Sequence, residues 1–412
     1  MFQITLFSSS WRALSPGGFI GKLVCALLAT ALVLPAPAFP AECVPRGAWS
    51  APGPSGLQPL PIKTLIGDLA RRSVVLLGER HDSAEHHRWQ LQVIAALHAA
   101  RPDMVIGLEM FPRAAQPTLD RWIAGAVSEA EFLRESGWRD VWQMDPQLYL
   151  PIFHFARMNG IPLIALNVDR KLTRAVSQKG FDALAVQDRE GISRPAAPSA
   201  LYVEFLHDIF VEHTRDERAR AAATDSALDD PAFRHFVESQ LVWDRAMAQG
   251  IAAALARKPV PLVVGLMGGG HVANRYGVPH QLASLGVSDV AVLLPWDSGT
   301  DCDRLIAGYA DAVFGVAEAP AAPVLQRQRL GVSLELVTGG VRIVRVEAGS
   351  VAEAAGLRAG DFVIEVAGLP AKQTADVAQA VQRHAAGTWL PLKVTRGADA
   401  IEIVAKFPPL AQ

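Results

Sequence analysis

The strongest constraint on the fold is a set of four short apolar runs, each of which ends at polar residues. The first run stops at a glycine and leads to Glu79 and His81, and the second stops at Glu109. Later runs end at Asn167 and, after three glycines, at His271. Short apolar runs that alternate with helical segments are typical of the buried strands of a parallel sheet. The sequence therefore predicts an α/β fold with a mainly parallel sheet of about five strands and helices on both faces.

These polar residues are the first candidates for a functional site. Parallel strands align their carboxyl ends at one edge of the sheet, where open α/β folds place their ligands, so we expect the five side chains to share a pocket. Taken singly, each of them has a simpler interpretation as a polar residue that ends its strand. A helix predicted over Phe233 to Arg257 sets Gln240, Asp244 and Ala248 one above another and is a candidate lid. A solvated helix face is the other interpretation of that pattern.

The amino terminus has the pattern of a cleavable signal peptide. Basic residues precede an apolar run at 23–34, and Ala36-Pro37-Ala38 has the small-x-small spacing of a signal-peptidase site. The run is too short to remain as a helix across a bilayer. We therefore expect residues 1–38 to be removed on export. A lipid anchor at Cys43 is not expected, because the residues before it lack the small apolar character of that signal.

Two cysteines would remain after cleavage, Cys43 and Cys302, and an exported protein meets an oxidising compartment. One disulfide between them would tie the amino terminus to the end of the first domain and contribute about 2–4 kcal/mol. Two unrelated free thiols are the other interpretation. The absence of Cys-x-x-Cys spacing argues against a cysteine-ligated metal.

The composition fits a multidomain globular protein. With 412 residues, 50% hydrophobic content and a formal net charge of -2, the chain can bury large cores. It lacks the basic excess expected of a protein that binds nucleic acid. An Ala/Pro-rich linker at 316–326 separates two predicted domains, at 60–315 and at 327–410.

The second domain resembles a bacterial PDZ domain. The resemblance rests on residues 350–368, which read as a short helix, a Gly-Leu-x-x-Gly-Asp turn, a strand and a glycine. PDZ domains add the carboxy terminus of a partner protein to a sheet edge, and backbone N–H groups bind its carboxylate. The resemblance assigns that carboxylate to Gly331, between Leu330 and Val332, with a helix from Thr374 to His384 as the other wall. A PDZ fold kept only for packing or assembly is the other interpretation.

The first domain resembles the ChaN-like family of haem-binding iron-uptake proteins. The motifs of that family occur in order between about residues 60 and 294: Gly78 to His81 with His86-His87, Gly107 to Phe111, Trp142 with Tyr149, Ala165 to Asn167, Gln240 to Ala248, and Gly268 to His271 with Gly277-Val278-Pro279. The resemblance implies an exported protein of iron acquisition, periplasmic or outer-membrane-associated, that binds haem. Peripheral membrane association and a homodimer are compatible with it.

The resemblance also implies a tyrosine as the iron ligand. We expect this to be Tyr149, because Pro151 predicts a helix that starts beside it. His154 would be a second ligand or a hydrogen-bond partner, and Tyr202 with His207 is the fallback pair. An ordinary core tyrosine at a helix start is the other interpretation of Tyr149. The remaining expected haem contacts are Glu79, His81, Glu109, Asn167 and His271, with Trp138, Trp142 and Phe153 packed on the porphyrin.

The same motifs also look like those of erythromycin esterases and TIKI proteases. Glu79, His81, Glu109 and His271 are chemically adequate to hold a divalent metal, zinc or manganese, with one glutamate as general base. Their spacing is not a zinc signature, since the residues come from separate strand ends. We therefore predict a binding protein, with a metal-dependent hydrolase as the alternative. In a third interpretation the PDZ domain has the leading role and tethers the first domain to a partner.

Overall fold

The computed structural model describes residues 43–213, 230–317 and 328–409. The predicted signal peptide at 1–38 and most of the predicted linker at 316–326 lie outside the described residues. The described residues form an α/β domain, which ends near Val316, and a smaller β-rich domain that starts after the linker.

A mixed sheet forms the centre of the α/β domain. Its strands are β1 (Trp49–Gly53), β2 (Gly56–Pro59), β3 (Val74–Glu79), β4 (Met104–Pro112), β5 (Leu163–Asn167), β6 (Leu262–Gly268), β7 (Val290–Asp297) and β8 (Ala312–Val316). Within the described residues the strand order is β2-β1-β8-β7-β3-β6-β4-β5. The strands from β8 to β5 are parallel, and β1 and β2 form an antiparallel hairpin on β8. The predicted mainly parallel sheet is confirmed and is larger than the five strands expected.

Helices cover both faces of this sheet, as the sequence predicts. They are α1 (Ile62–Leu69), α2 (Ala84–Ala100), α3 (Gln116–Ile123), α4 (Glu129–Glu135), α5 (Trp138–Val141), α6 (Leu150–Met158), α7 (Arg170–Lys179), α8 (Ala200–His213), α9 (Pro231–Leu255) and α10 (Val278–Ser284). In the part of the chain that the structure describes, no helix is both long and apolar enough to cross a membrane.

The alternation of side chains along β3 explains why the sheet needs helices on both sides. Val75 and Leu77 point into one core, which contains Trp89 of α2. Val74 and Leu76 point into the opposite core, which contains residues of α9 and α10. All four strand residues are fully buried. Successive strand residues face opposite sides, so a run of apolar residues without alternation requires cover on both faces.

Side chains cap the first turns of the helices α2 and α9. Ser83 begins α2, and its hydroxyl accepts a hydrogen bond from the backbone N–H of His86. Asp230 begins α9 in the same way, with Pro231 in the first turn. These caps satisfy backbone donors that the first turn of a helix leaves without partners. The long helix α9 packs against β5, α7 and α10.

A disulfide joins Cys43 to Cys302. The sequence alone allowed either this bond or two free thiols. It connects the segment before β1 to the short 3-10 turn Cys302–Arg304 between β7 and β8. The bond closes a loop with a sequence separation of 259 residues. It therefore anchors the amino-terminal end of the described chain to the sheet.

The β-rich domain is an antiparallel sheet with two helices. Its elements are β9 (Val332–Val337), β10 (Gly340–Val346), α11 (Val351–Ala354), β11 (Phe362–Val366), β12 (Leu369–Pro370), α12 (Thr374–Arg383), β13 (Trp389–Arg396) and β14 (Asp399–Lys406). The strand order is β14-β13-β11-β10-β9, with β12 paired to β11. This arrangement is the small β-rich domain that the sequence predicts. Among the described strands, β9 lies at an edge of the sheet.

Removing the disulfide should lower the stability of the α/β domain. For the double variant Cys43→Ser/Cys302→Ser we expect the free energy of unfolding to fall by about 2–5 kcal/mol, because the long loop is no longer closed in the unfolded chain. Urea unfolding of oxidised wild type and variant measures the difference. Reduced wild type should match the variant, and equal midpoints for oxidised wild type and variant would contradict the assignment.

Candidate functional site

The strand ends bring the five predicted polar residues together at one edge of the sheet. Glu79 ends β3 and pairs in register with Gly268, the last residue of β6. The backbone N–H of Gly268 donates to Glu109 Oε2 at 2.6 Å, and Asn167 Nδ2 donates to the backbone carbonyl of Glu109 at 2.8 Å. His271 Nε2 lies 3.4 Å from Glu109 Oε1. Neighbouring parallel strands thus place these groups side by side at one edge of the sheet.

Four residues form the Glu79 cluster, namely Glu79, His81, His87 and Tyr149. The Tyr149 hydroxyl donates to Glu79 Oε1 at 2.7 Å, and His81 Nδ1 lies 2.8 Å from the same oxygen. His87 Nδ1 lies 3.1 Å from Glu79 Oε2 and 3.1 Å from Gln90 Oε1. Burial opposes the charge of this carboxylate, but the hydrogen bonds from the two histidines outweigh burial and lower the pKa of Glu79 to about 2. Glu79 is therefore an ionised group in the interior.

Tyr149 does not fit the predicted role of iron ligand. Its ring is fully buried between Trp138 and Phe153, and its hydroxyl is hydrogen-bonded to Glu79. Burial and the Glu79 carboxylate both raise the pKa of Tyr149 far above its ordinary value. A phenolate ligand must lose its proton and face the iron. The hydroxyl instead remains protonated and orients Glu79.

His154 does not lie beside Tyr149, contrary to the prediction. It follows Phe153 on α6, and successive helix residues point in different directions, so the two side chains diverge. His154 Nε2 lies 3.1 Å from Glu129 Oε2, and both side chains are about half exposed. Of the aromatic residues expected on the porphyrin, Trp138 and Phe153 are buried in the core. Trp142 alone borders the site, with its ring 4.6 Å from the imidazole of His81.

Three residues form the Asp244 cluster, namely Asp244, His271 and Tyr202. Asp244 Oδ1 lies 2.7 Å from His271 Nδ1, and the Tyr202 hydroxyl donates to Asp244 Oδ2 at 2.7 Å. Asp244 is fully buried on α9, so the interpretation of this helix face as solvated is wrong for that residue. Tyr202, the fallback ligand, is buried as well, and burial with the Asp244 carboxylate raises its pKa. Its expected partner His207 packs instead against the ring of Phe233.

His271 is held in its charged form by two carboxylates. Burial opposes the charge, but Glu109 and Asp244 outweigh it and raise the pKa of His271 to about 10. The imidazole therefore carries a proton on each ring nitrogen near neutral pH, with Nδ1 on Asp244 and Nε2 toward Glu109.

Gly268 lies between His81 of the Glu79 cluster and Glu109, which contacts His271 of the Asp244 cluster. A Cβ at this position would lie 2.9 Å from His81 Cε1 and 3.2 Å from His81 Nε2, so only glycine lets the imidazole approach the strand so closely. In both His81 and His271 a carboxylate holds Nδ1. An imidazole held in this way presents Nε2 as a proton carrier or as a metal ligand.

The predicted divalent metal site is not supported. No group of three or more His, Cys, Asp or Glu side chains in the described ranges is arranged to hold a metal ion. The four residues expected to bind zinc or manganese hydrogen-bond or pair with one another and with their neighbours instead.

Sequence reasoning assigned no role to His87, which lies in the first turn of α2. The stretch that follows the motif Gly78 to His81 is polar, which would suggest exposed residues. His87 is nevertheless buried beside Glu79. The usable signal was its spacing, since His87 lies three residues before the buried Gln90, and residues three apart share one face of a helix.

The three predicted peptide-binding residues line a groove of about 230 Å³ in the β-rich domain. Leu330, Gly331 and Val332 form one side, and Val377 and Ala378 of α12 lie on the other. Gly331 has a φ of +80°, and a Cβ at this position would collide with Ser350. The loop therefore needs glycine to bring its backbone to the end of the groove.

Comparison with known proteins agrees with both domains. The sequence pattern of the family described as haem-binding uptake, Tiki superfamily, ChaN, matches residues 65–282. The chain belongs to the ChaN family. The PDZ pattern matches residues 328–406, so the resemblances found in the sequence are confirmed for both domains. No curated protein matches the chain.

Solved structures of low sequence identity match parts of this ChaN-family chain. ChaN of Campylobacter jejuni, solved for its cofacial haem binding, is 18% identical, with 65% of this chain and 96% of that chain covered and a TM-score of 0.49. A mutant erythromycin esterase in its open conformation is 13% identical, with coverage of 60% and 77% and a TM-score of 0.37. The HtrA-type protease AlgW with a decapeptide is 20% identical, with coverage of 21% and 30% and a TM-score of 0.20.

The charge of His271 makes stability depend on pH. The imidazole titrates near 6.5 in the unfolded chain and near 10 in the folded protein, so its contribution is complete below pH 6.5 and is lost as the pH rises toward 10. We expect the free energy of unfolding of wild type to fall over this range more steeply than that of His271→Gln. Denaturant unfolding at several pH values measures both slopes, and parallel slopes would rule out a charged His271.

Proposed function

We propose that the protein is an exported haem-binding protein of iron acquisition, whose PDZ domain binds the carboxy terminus of a partner protein. The observation that carries the haem proposal is the match of a haem-binding family over residues 65–282. That range contains every residue of the Glu79 and Asp244 clusters. The carboxyl edge of β3 to β6 is therefore our candidate for the haem site.

Aromatic side chains at this edge support a flat apolar ligand. Trp142 and Trp243 are both half-buried, and their rings lie edge-on to the imidazoles of His81 and His271, at 4.6 and 6.1 Å. Indole rings supply large, rigid apolar surfaces that suit a porphyrin. Bound haem supplies an iron centre that takes axial ligands from protein side chains. An imidazole is a ligand of the right chemical type, and His81 lies beside Trp142.

The shape of the PDZ groove supports a peptide partner. The groove lies between the edge strand β9 and helix α12, where an extended peptide can add to the sheet. Its walls include the aliphatic side chains of Leu330, Val332, Val377 and Val381. We therefore propose a partner whose last residue is apolar, with its carboxylate at the backbone of Gly331.

Export is supported by the disulfide between Cys43 and Cys302, since such bonds persist in oxidising compartments. Together with the signal pattern at 1–38, this favours a periplasmic or outer-membrane-associated protein. Peripheral membrane association and a homodimer stay predictions.

Titration with hemin tests the haem proposal. We expect the absorbance of hemin to shift on adding one equivalent of protein, and Trp142→Ala to bind more weakly because the porphyrin loses an apolar wall. The matched control is Trp389→Ala, which removes an exposed indole of the PDZ domain and should bind like wild type. No shift with wild type would contradict the haem proposal, and wild-type affinity in Trp142→Ala would contradict a haem site at this edge.

Peptide binding tests the PDZ proposal. A labelled decapeptide that ends in valine with a free carboxylate should bind the protein, and its amidated form should not. Ala378→Trp fills the groove from the exposed face of α12 and should abolish binding, whereas Ala398→Trp, exposed in the turn before β14, should not. Fluorescence anisotropy reports the affinity. Equal binding by both variants would contradict a peptide in this groove.

A further inference from the structure

We propose that two copies of this chain associate through strand β14 of the PDZ domain. The two strands pair antiparallel, with Val404 of one copy opposite Val404 of the other. The proposal gives the expected homodimer a definite surface. It goes beyond the haem and peptide binding proposed above and depends on neither of them.

Strand β14 has a free edge. Within the described residues it is hydrogen-bonded to β13 alone, and it is eight residues long. Its ladder with β13 runs over all eight residues without a register shift, and the strand contains no proline. A long, regular edge strand presents unpaired backbone groups to other chains, and proteins usually shorten, bend or cover such edges. The described structure has none of these devices at β14, so this edge can accept a second strand.

The side chains of β14 alternate between the core of the domain and solvent. Ile403 and Ala405 are buried in that core. Glu402, Val404 and Lys406 are exposed, as expected for alternate residues of a strand. The exposed row therefore carries a carboxylate at one end, an apolar side chain in the middle and an ammonium group at the other end.

The backbone groups of the same three residues point to the free edge. Phe407, the next residue, donates its N–H to the carbonyl of Thr388 at 3.0 Å, which continues the ladder with β13. In an antiparallel ladder every second residue bonds to a given neighbour, and the residues between them face the other side. Glu402, Val404 and Lys406 thus direct their N–H and C=O groups away from β13. In the part of the chain that the structure describes, no hydrogen bond engages these groups.

Charge selects the register of the two strands. A two-fold axis at Val404 places each Glu402 opposite Lys406 of the second copy, so two pairs of opposite charges form. An axis at Glu402 would place the two carboxylates on each other. An axis at Ile403 or Ala405 would leave both charges opposite uncharged residues. Opposite charges that face each other across a sheet stabilise the pairing, and like charges destabilise it.

The neighbouring strand β13 continues this charge pattern. Lys393 Nζ lies 4.0 Å from Glu402 Oε1, and Lys406 Nζ lies 4.9 Å from the centre of the Trp389 ring. In the proposed register one row of side chains crosses the junction. It reads Lys393 and Glu402 of one copy, then Lys406 and Trp389 of the second copy. Each charge in this row has an opposite charge or an aromatic ring as its neighbour.

Pairing also covers apolar surface. Val404 is 44% exposed and pairs with Pro391 of β13, which is exposed as well. The central row of the joined sheets reads Pro391 and Val404, followed by Val404 and Pro391 of the second copy. Removal of apolar side chains from water favours the association.

The association leaves the peptide groove open. The groove lies along β9, at the opposite edge of the sheet from β14. Each copy therefore keeps the surface at which we propose that a partner peptide binds. The two proposals can fail separately.

Analytical ultracentrifugation of the protein without its predicted signal peptide and without hemin tests the proposal. Wild type should sediment as a dimer. Val404→Lys places two ammonium groups at the axis and should sediment as a monomer. The matched control is Leu336→Lys, which adds the same charge at an exposed position of the opposite edge strand and should stay dimeric. A monomeric wild type, a dimeric Val404→Lys or a monomeric control would overturn the proposal.

Exchange of the two charges tests the register and needs no inference from a lost fold. Glu402→Lys and Lys406→Glu each oppose like charges in both pairs, and each should raise the dissociation constant of the dimer about tenfold. The double variant Glu402→Lys/Lys406→Glu restores opposite charges across the junction and should regain the wild-type constant. A double variant that is no tighter than the single variants would contradict this register.

Oxidative cross-linking locates the axis. Residues of a hydrogen-bonded antiparallel pair have Cα atoms about 5.5 Å apart, which a disulfide can span. Val404→Cys should therefore form a covalent dimer on a non-reducing gel, while Cys43 and Cys302 remain bonded to each other. Glu402→Cys is the control, because in this register the two copies of residue 402 lie about 14 Å apart along the strands. Cross-linking of Glu402→Cys but not of Val404→Cys, or of neither variant, would contradict the proposed pairing.

Discussion

A single buried carboxylate organises the edge of the sheet. Glu79 ends β3 in the interior, where a charge without partners costs several kcal/mol. Its oxygens are contacted by Tyr149 from the start of α6, by His81 from the loop after β3 and by His87 from α2. Because these partners come from three separate segments, satisfying the charge also fixes those segments relative to the strand. The geometry of the whole site depends on this contact set.

In the Asp244 cluster a buried carboxylate again holds the Nδ1 of a histidine, but the charge and exposure of that histidine differ from those of His81. Asp244 holds His271 Nδ1 as Glu79 holds His81 Nδ1, but His271 Nε2 faces Glu109 at 3.4 Å. His271 is therefore enclosed and charged, with a side chain that is 12% exposed, whereas the side chain of His81 is 34% exposed. This asymmetry makes His271 part of the fold around Glu109, while His81 borders the more exposed side of the site.

The sequence predicted those features of the fold and of the site that depend on local sequence pattern. Apolar runs that stop at Glu79 and Glu109 reveal strand ends, and parallel topology then places them at one edge. The partner of Tyr149 lies 70 residues away in sequence, and no local pattern reveals that its hydroxyl would meet Glu79. The strands β1 and β8 were not predicted as part of the sheet because they are short, and β1 contains proline and glycine. Sequence spacing alone also could not decide whether Cys43 and Cys302 were close enough to bond.

The most direct measurement is a crystal structure of the protein with bound haem. We expect the porphyrin at the carboxyl edge of β3 to β6, beside Trp142, with the contacts of Tyr149, His81 and His87 to Glu79 unchanged. Haem bound away from this edge would contradict this expectation.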